Sequence, residues 1–164
     1  MKGYNLRMPY LIDGHNLIPK VGLRLDSMDD EMELISILQE FCRRERKQVE
    51  VYFDGAPGSQ AGTRKVGTVT AHFVPLGKTA DNAIRNHLKR LGKSARNWIV
   101  VTSDRQVQAE ARAVHAEIIA SDSFAKILKQ ARDSAPKAEM DRKMSDDEVN
   151  QWLRVFEERS KKKL

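Results

Sequence analysis

Apolar residues along this chain follow two rhythms. Short runs of strand length occur at residues 10–12, 49–53, 69–74, 97–102 and 117–119. Between them the spacing turns helical. Beyond Asp26, Leu34, Leu38 and Phe41 recur at i, i+4 and i+7, with Ile35 and Cys42 widening the stripe. Asp29, Asp30 and Glu31 crowd the first turn of that segment and Arg43, Arg44, Arg46 and Lys47 the last, both complementing a helix dipole. Thr79 is placed to cap a helix in which Ile84, Leu88 and Leu91 keep the period and Gly92 ends it. Further helices are expected over 106–114 and from Ser121-Asp122 to about Ala131.

Strands alternating with helical segments imply βαβ units with right-handed crossovers. The expected fold is therefore α/β, a three-layer α/β/α sandwich around a mainly parallel sheet of four to five strands. The near-continuous apolar run at 97–102 marks a central strand covered on both faces. Residues 55–68 carry four glycines, a proline, Arg64 and Lys65, and read as a flexible basic loop without regular structure. Residues 1–8 read as a disordered polar leader, 9–133 as one domain and 134–144 as a linker. Residues 145–164 read as an amphipathic helix with a basic tail. Ser145 and Glu148 form a capping box there, and Val149, Trp152, Leu153 and Phe156 make one apolar face. So short a helix needs a docking surface, on its own domain or on a second copy in a homo-oligomer.

Composition narrows this picture. The chain has 164 residues, 40% of them apolar, enough for one core and too few for two domains. No apolar run approaches a membrane span of about 20 residues, and no signal peptide opens the chain. The single cysteine, Cys42, excludes an internal disulfide and reads as a core thiol. Net charge is +6, and residues 134–164 hold eight basic and seven acidic side chains, so the excess belongs to the first 133 residues. Such an excess suits a polyanionic partner.

Candidate chemistry lies at the strand ends. Asp13 and Asp54 close the first two strands, Asp104 follows the run at 97–102, and Asp81 sits in the first turn of the helix after Thr79. Parallel strands bring their carboxyl ends to one edge, where open α/β sheets hold ligands. Carboxylates crowded there repel one another, and a hard divalent cation such as Mg²⁺ or Mn²⁺ relieves that cost. Each acid also has a structural reading: Asp13-Gly14 and Asp54-Gly55 as turns, Asp81 as a dipole-compensating residue, Asp104 as a helix cap. Ser103 could lend a hydroxyl to a metal-bound water or cap a helix. Other motifs are missing: no G-x-G-x-x-G after the first strand, no P-loop, no G-x-S-x-G elbow, no zinc-like grouping of His15, His72, His87 and His115.

Leu11-Ile12-Asp13-Gly14-His15-Asn16, Phe53-Asp54, Thr79-Ala80-Asp81-Asn82 and Thr102-Ser103-Asp104 resemble the successive motifs of the NYN domains, PIN-like ribonucleases, in their YacP-like branch. Ala120-Ser121-Asp122-Ser123-Phe124 and the tryptophan-bearing C-terminal helix add to the likeness. His15 departs from it, standing where tyrosine is common. The resemblance implies a cytoplasmic, metal-dependent endoribonuclease of mRNA decay, with ribosome-engaged RNA as one setting. On that reading Asp13, Asp81 and Asp104 hold Mg²⁺ or Mn²⁺, Asp54 is a more distant or water-mediated ligand, and Asn16 orients Asp13 or a substrate oxygen. Arg64, Lys65 and Lys78 would contact phosphates, helped by Arg85 and Arg105. A non-catalytic RNA-binding module and a small-molecule phosphohydrolase remain open beside it, and His15 has no assigned role.

Overall fold

The computed structural model describes residues 8–23, 28–134 and Arg154. Residues 1–7 of the expected leader, 135–144 of the linker and the C-terminal helix apart from Arg154 lie outside these residues, whereas Met8, assigned to the leader, is buried in the core. Six strands form one sheet in the order β3-β4-β2-β1-β5-β6. They are β1 (Tyr10–Asp13), β2 (Val49–Ala56), β3 (Gly62–Val66), β4 (Val69–Pro75), β5 (Ile99–Val101) and β6 (Glu117–Ile119). All neighbours pair in parallel except β3 with β4. The helices are α1 (Gly14–Leu17), α2 (Met28–Glu45), α3 (Ala80–Leu91), α4 (Arg105–Ala113) and α5 (Ser121–Asp133).

Strand alternation sorts side chains into two cores. Tyr10, Ile12, Val49, Val51, Phe53, Ile99 and Val101 face α2 and α5, whose Leu34, Leu38, Phe41, Phe124 and Leu128 close that layer. Leu11, Tyr52, Val74 and Val100 face the other way, onto Ala80, Ile84 and Leu88 of α3 and Val107 and Ala111 of α4. The expected α/β/α sandwich follows from this division. Cys42 is buried in the first core, where desolvation pushes its thiol up to about 12, so it is a packing residue and not a nucleophile.

Topology places the site. Chain order runs from β1 through α2 to β2 on one side, and returns from β4 through α3 to β5 on the other side of β1. The carboxyl end of β1 is thus a switch point, where crevices open in sheets of this kind. Thr79 caps α3 by accepting from the Asn82 N–H at 3.1 Å, and Gly92 ends that helix, both as the sequence indicates. Thr79→Ala should cost about 1 kcal/mol in urea unfolding. A loss below the error of the measurement would remove the cap from the account of how Asp81 is positioned.

The glycine-rich segment corrects the expectation of an irregular loop. β2 continues to Ala56, a turn at Pro57 follows, and 62–66 forms an edge strand antiparallel to β4. Gly62 opens this strand, paired with Phe73, and Gly67 follows it, so neither interrupts the pairing of Thr63, Arg64, Lys65 and a fully buried Val66. A two-residue link, Gly67-Thr68, joins it to β4. Gly67 stands at φ +62°, as the first position of a type II′ hairpin turn requires. The sheet therefore gains a sixth strand.

Candidate active site

The four acids gather at the carboxyl edge of the sheet. Asp13 ends β1 beside Tyr52 of β2 and is 6% exposed. Its glycine neighbour makes no turn. Gly14 opens the one-turn helix α1, packed so close to β2 that a Cβ would stand 2.4 Å from Phe53 Cε1. Burial, then the charge of Asp81 and more weakly that of Asp54, pushes the Asp13 carboxyl up to about 7. The Asn16 backbone N–H and the charge of His15 pull it the other way.

Asp81 lies in the first turn of α3, and its carboxyl hydrogen-bonds that of Asp104. Burial and the Asp104 charge raise its pKa against the pull of Arg85. Asp104 also caps α4, its Oδ1 accepting from the N–H groups of Gln106 and Val107 at 2.9 and 3.0 Å. The capping reading of Asp104 and its membership of the cluster are therefore both realised. Asp54 pairs with His15, Oδ1 to Nδ1, at 2.7 Å.

His15 is the member that sequence reasoning could not place, and Glu31, in the first turn of α2 as expected, has a contact that the sequence does not indicate. The His15 Nε2 lies 2.6 Å from Glu31 Oε2, so the ring bridges two carboxylates. Burial works against its charge, yet the hydrogen bonds to Glu31 and Asp54 outweigh that and hold its pKa above the usual imidazole value. Glu31 reads in sequence as a dipole-compensating acid, and its first-turn position carries no signal of this contact.

Asn16 makes contacts that the sequence does not indicate. Its side-chain Oδ1 accepts from the Ser103 N–H at 2.8 Å and from the Ser121 hydroxyl at 2.6 Å, while its backbone N–H serves Asp13. The amide thus ties the end of β1 to the segments after β5 and β6. Ser103 Oγ in turn accepts from the Ser121 N–H at 3.1 Å, so that hydroxyl locks two loops together.

The predicted phosphate contacts divide. Lys78 precedes the Thr79 cap, Arg85 sits beside Asp81 with Nη1 donating to Asn82, and Arg105 opens α4 after Asp104. Arg64 and Lys65 do not join them. They lie on β3, three strands from β1 or about 14 Å across the sheet, and pair with Ala71 and Thr70 below its carboxyl edge.

An all-oxygen donor set with raised carboxylate pKa values matches the chemistry of a hard divalent ion. Among the described residues no three His, Cys, Asp or Glu side chains are already arranged to hold an ion, so binding would require the carboxylates to turn toward it. Among the same residues no helix is long and apolar enough to cross a membrane.

Two solved structures share this architecture. One is Rae1 (YacP) from Bacillus subtilis, 20% identical, with 94% of this chain and 91% of that chain covered and a TM-score of 0.64. The other is a tryptophan-to-leucine mutant of the same Bacillus subtilis protein, 20% identical over 94% of this chain and 99% of that one, at a TM-score of 0.61. Comparison with curated proteins yields no match. The family profile of the YacP-like NYN domain matches residues 10–164. With nearly the whole length matched, this chain belongs to the YacP-like NYN domain family, a family of nucleases.

Proposed function

We propose that the protein is a metal-dependent endoribonuclease whose centre is the acid cluster at the end of β1. The observation that carries this reading is electrostatic. Asp13 and Asp81 are both held above their usual carboxylate range by burial and by the other acids, with Asp54 and Asp104 beside them. A fold keeps such mutual repulsion when a ligand relieves it.

Asp13, Asp81 and Asp104 would hold Mg²⁺ or Mn²⁺, with Asp54 reaching it through water. A bound ion of this type supplies an activated water and stabilises charge on phosphate oxygens. The chain's own residues do the rest. His15, fixed between Asp54 and Glu31, compensates two carboxylates and favours the ionised form of Asp13. Asn16 and Ser103 hold the loops after β1, β5 and β6 at fixed spacing. Arg85, with Lys78 and Arg105, offers cations to the phosphates flanking the scissile bond. In-line attack by water would leave a 5′-phosphate and a 3′-hydroxyl. The first 133 residues carry most of the net positive charge, which suits a polymeric anion over a small ester. Ribosome-engaged mRNA in the cytoplasm is the proposed setting.

A second reading, an RNA-binding module without catalysis, draws on one observation: no described trio of ligands is set for an ion. The discriminating assay incubates single-stranded RNA with the protein in Mg²⁺ or Mn²⁺, with and without ribosomes, against EDTA and Asp81→Asn controls. Cleavage that needs the ion and Asp81 is the expected result. RNA binding with no cleavage in any arm would support the module. Hydrolysis of small phosphate esters alone would point to a phosphohydrolase.

A further inference from the structure

Beside the acid cluster, a groove of about 840 Å³ runs between α3 and the β3–β4 hairpin. Its volume falls in the range of ligand sites, roughly 300–1,000 Å³. Asn82, Asn86 and Arg90 line one wall at i, i+4 and i+8, a single stripe along α3. Thr63 and His72 form the hairpin wall, and Lys78, three residues before Asp81, also lines the groove. Among the described residues that line it, none is acidic. Thr79 and Asn82, which flank Asp81 on α3, line it, so a groove of amides and cations adjoins the carboxylate cluster.

The hairpin wall is fixed. The His72 ring stacks on Tyr52 with centroids 4.3 Å apart and planes 14° from parallel. Both its nitrogens are engaged, Nδ1 with Thr63 Oγ1 at 3.0 Å and Nε2 with Glu50 Oε1 at 2.7 Å. That leaves the variable chemistry to the α3 stripe. Side chains one turn apart start from Cβ atoms about 6 Å apart. They can meet successive units of an extended polymer, and carboxamides pair with base edges that only an unpaired strand exposes.

We propose that this groove binds the stretch of single-stranded RNA adjoining the phosphate cut at the acid cluster, with Asn82 and Asn86 on base edges and Lys78 and Arg90 on phosphates. The proposal rests on the nuclease reading for its register and has its own test. Binding of a labelled single-stranded RNA is measured by fluorescence anisotropy in EDTA, where no cleavage occurs. The variants are Asn86→Glu, Arg90→Gln and, on α5 across the sheet, Lys126→Glu.

Asn86→Glu should weaken binding about tenfold or more by placing a carboxylate in the channel. Arg90→Gln should weaken it about tenfold and reduce the salt dependence by about one phosphate contact. Lys126→Glu should leave binding unchanged. In Mg²⁺ or Mn²⁺, the groove variants should raise KM and keep kcat. Arg90 also hydrogen-bonds Tyr52, so if its variant melts early, Asn86→Glu, at an exposed position, carries the test.

Wild-type binding for Asn86→Glu alongside wild-type cleavage would overturn the groove and leave the nuclease reading standing. Groove-dependent binding by a protein that cleaves in neither ion, with or without ribosomes, would support the groove and overturn the nuclease reading. Affinity for duplex RNA equal to that for single strands, or no RNA binding by the folded wild type, would overturn the groove.

Discussion

Asp13→Asn should abolish metal-dependent RNA cleavage and, at pH 8 without divalent ions, raise the melting temperature by roughly 5–10 °C. Both effects come from one buried charge. In the unfolded chain Asp13 titrates near the ordinary aspartate value of 3.8, whereas in the fold burial and Asp81 push it up to about 7. Between those values the folded state binds the extra proton, so this group's contribution to stability falls as pH rises through the window. Above pH 7 the ionised side chain costs on the order of 2–4 kcal/mol, which asparagine does not incur. Asparagine keeps an oxygen for the Asn16 N–H but loses the charge an ion needs.

The loss of cleavage should exceed the roughly 10–100-fold that removal of an outer-shell partner costs. Thermal unfolding in EDTA at pH 8 and near pH 3.5 checks the stability half. The variant should melt higher at pH 8, and the two proteins should converge in acid, where both carry an uncharged side chain. A variant that melts lower at pH 8 would show that Asp13 is held for packing, and that its charge is not strained in the fold.

Gly14→Ala should cost about 3 kcal/mol or more, a large loss for one methyl group. The added Cβ would stand 2.4 and 2.6 Å from Phe53 Cε1 and Cδ1 and 2.9 Å from the Tyr52 carbonyl oxygen. Neither neighbour can yield. Phe53 is fully buried and stacked on Phe73 at 5.5 Å, with the His15 ring 5.5 Å away on its own account. Tyr52 belongs to the strand that pairs with Asp13. Relief would require β1 and β2 to part at the point where Asp13 and Asp54 are set. Urea unfolding compares this variant with Gly58→Ala, where an added Cβ meets nothing within 4 Å and little change is expected. Equal costs at the two positions would sink the close-packing account.

These two neighbours in sequence mark how much of the site could be read without the fold. The aspartate is legible because a carboxylate at the end of a buried apolar run is chemically conspicuous. The reason for its glycine is not. Gly14 looks like a turn residue, and only the packing of α1 on β2 turns it into a steric requirement. The hairpin taught a similar lesson. Four glycines in 55–68 suggested an irregular loop, yet Gly62 opens an edge strand and Gly67 follows it, and position within the segment mattered more than composition.

What the sequence by itself determined is everything with a local period. Alternation of strand and helix, the burial of Cys42, the caps at Thr79 and Asp104 and the placing of four acids near strand ends and helix starts each follow from residues within a few positions of one another. Only the tertiary structure decided which side chains meet. His15 lies 39 residues from Asp54 and 16 from Glu31, and Asn16 lies 87 and 105 residues from Ser103 and Ser121. Parallel strands joined by crossovers bring such distant residues to one edge, and strand order, which no local pattern encodes, fixes the choice. The same order carries Arg64 and Lys65 away from the acids and sets α3 against the hairpin to form the groove.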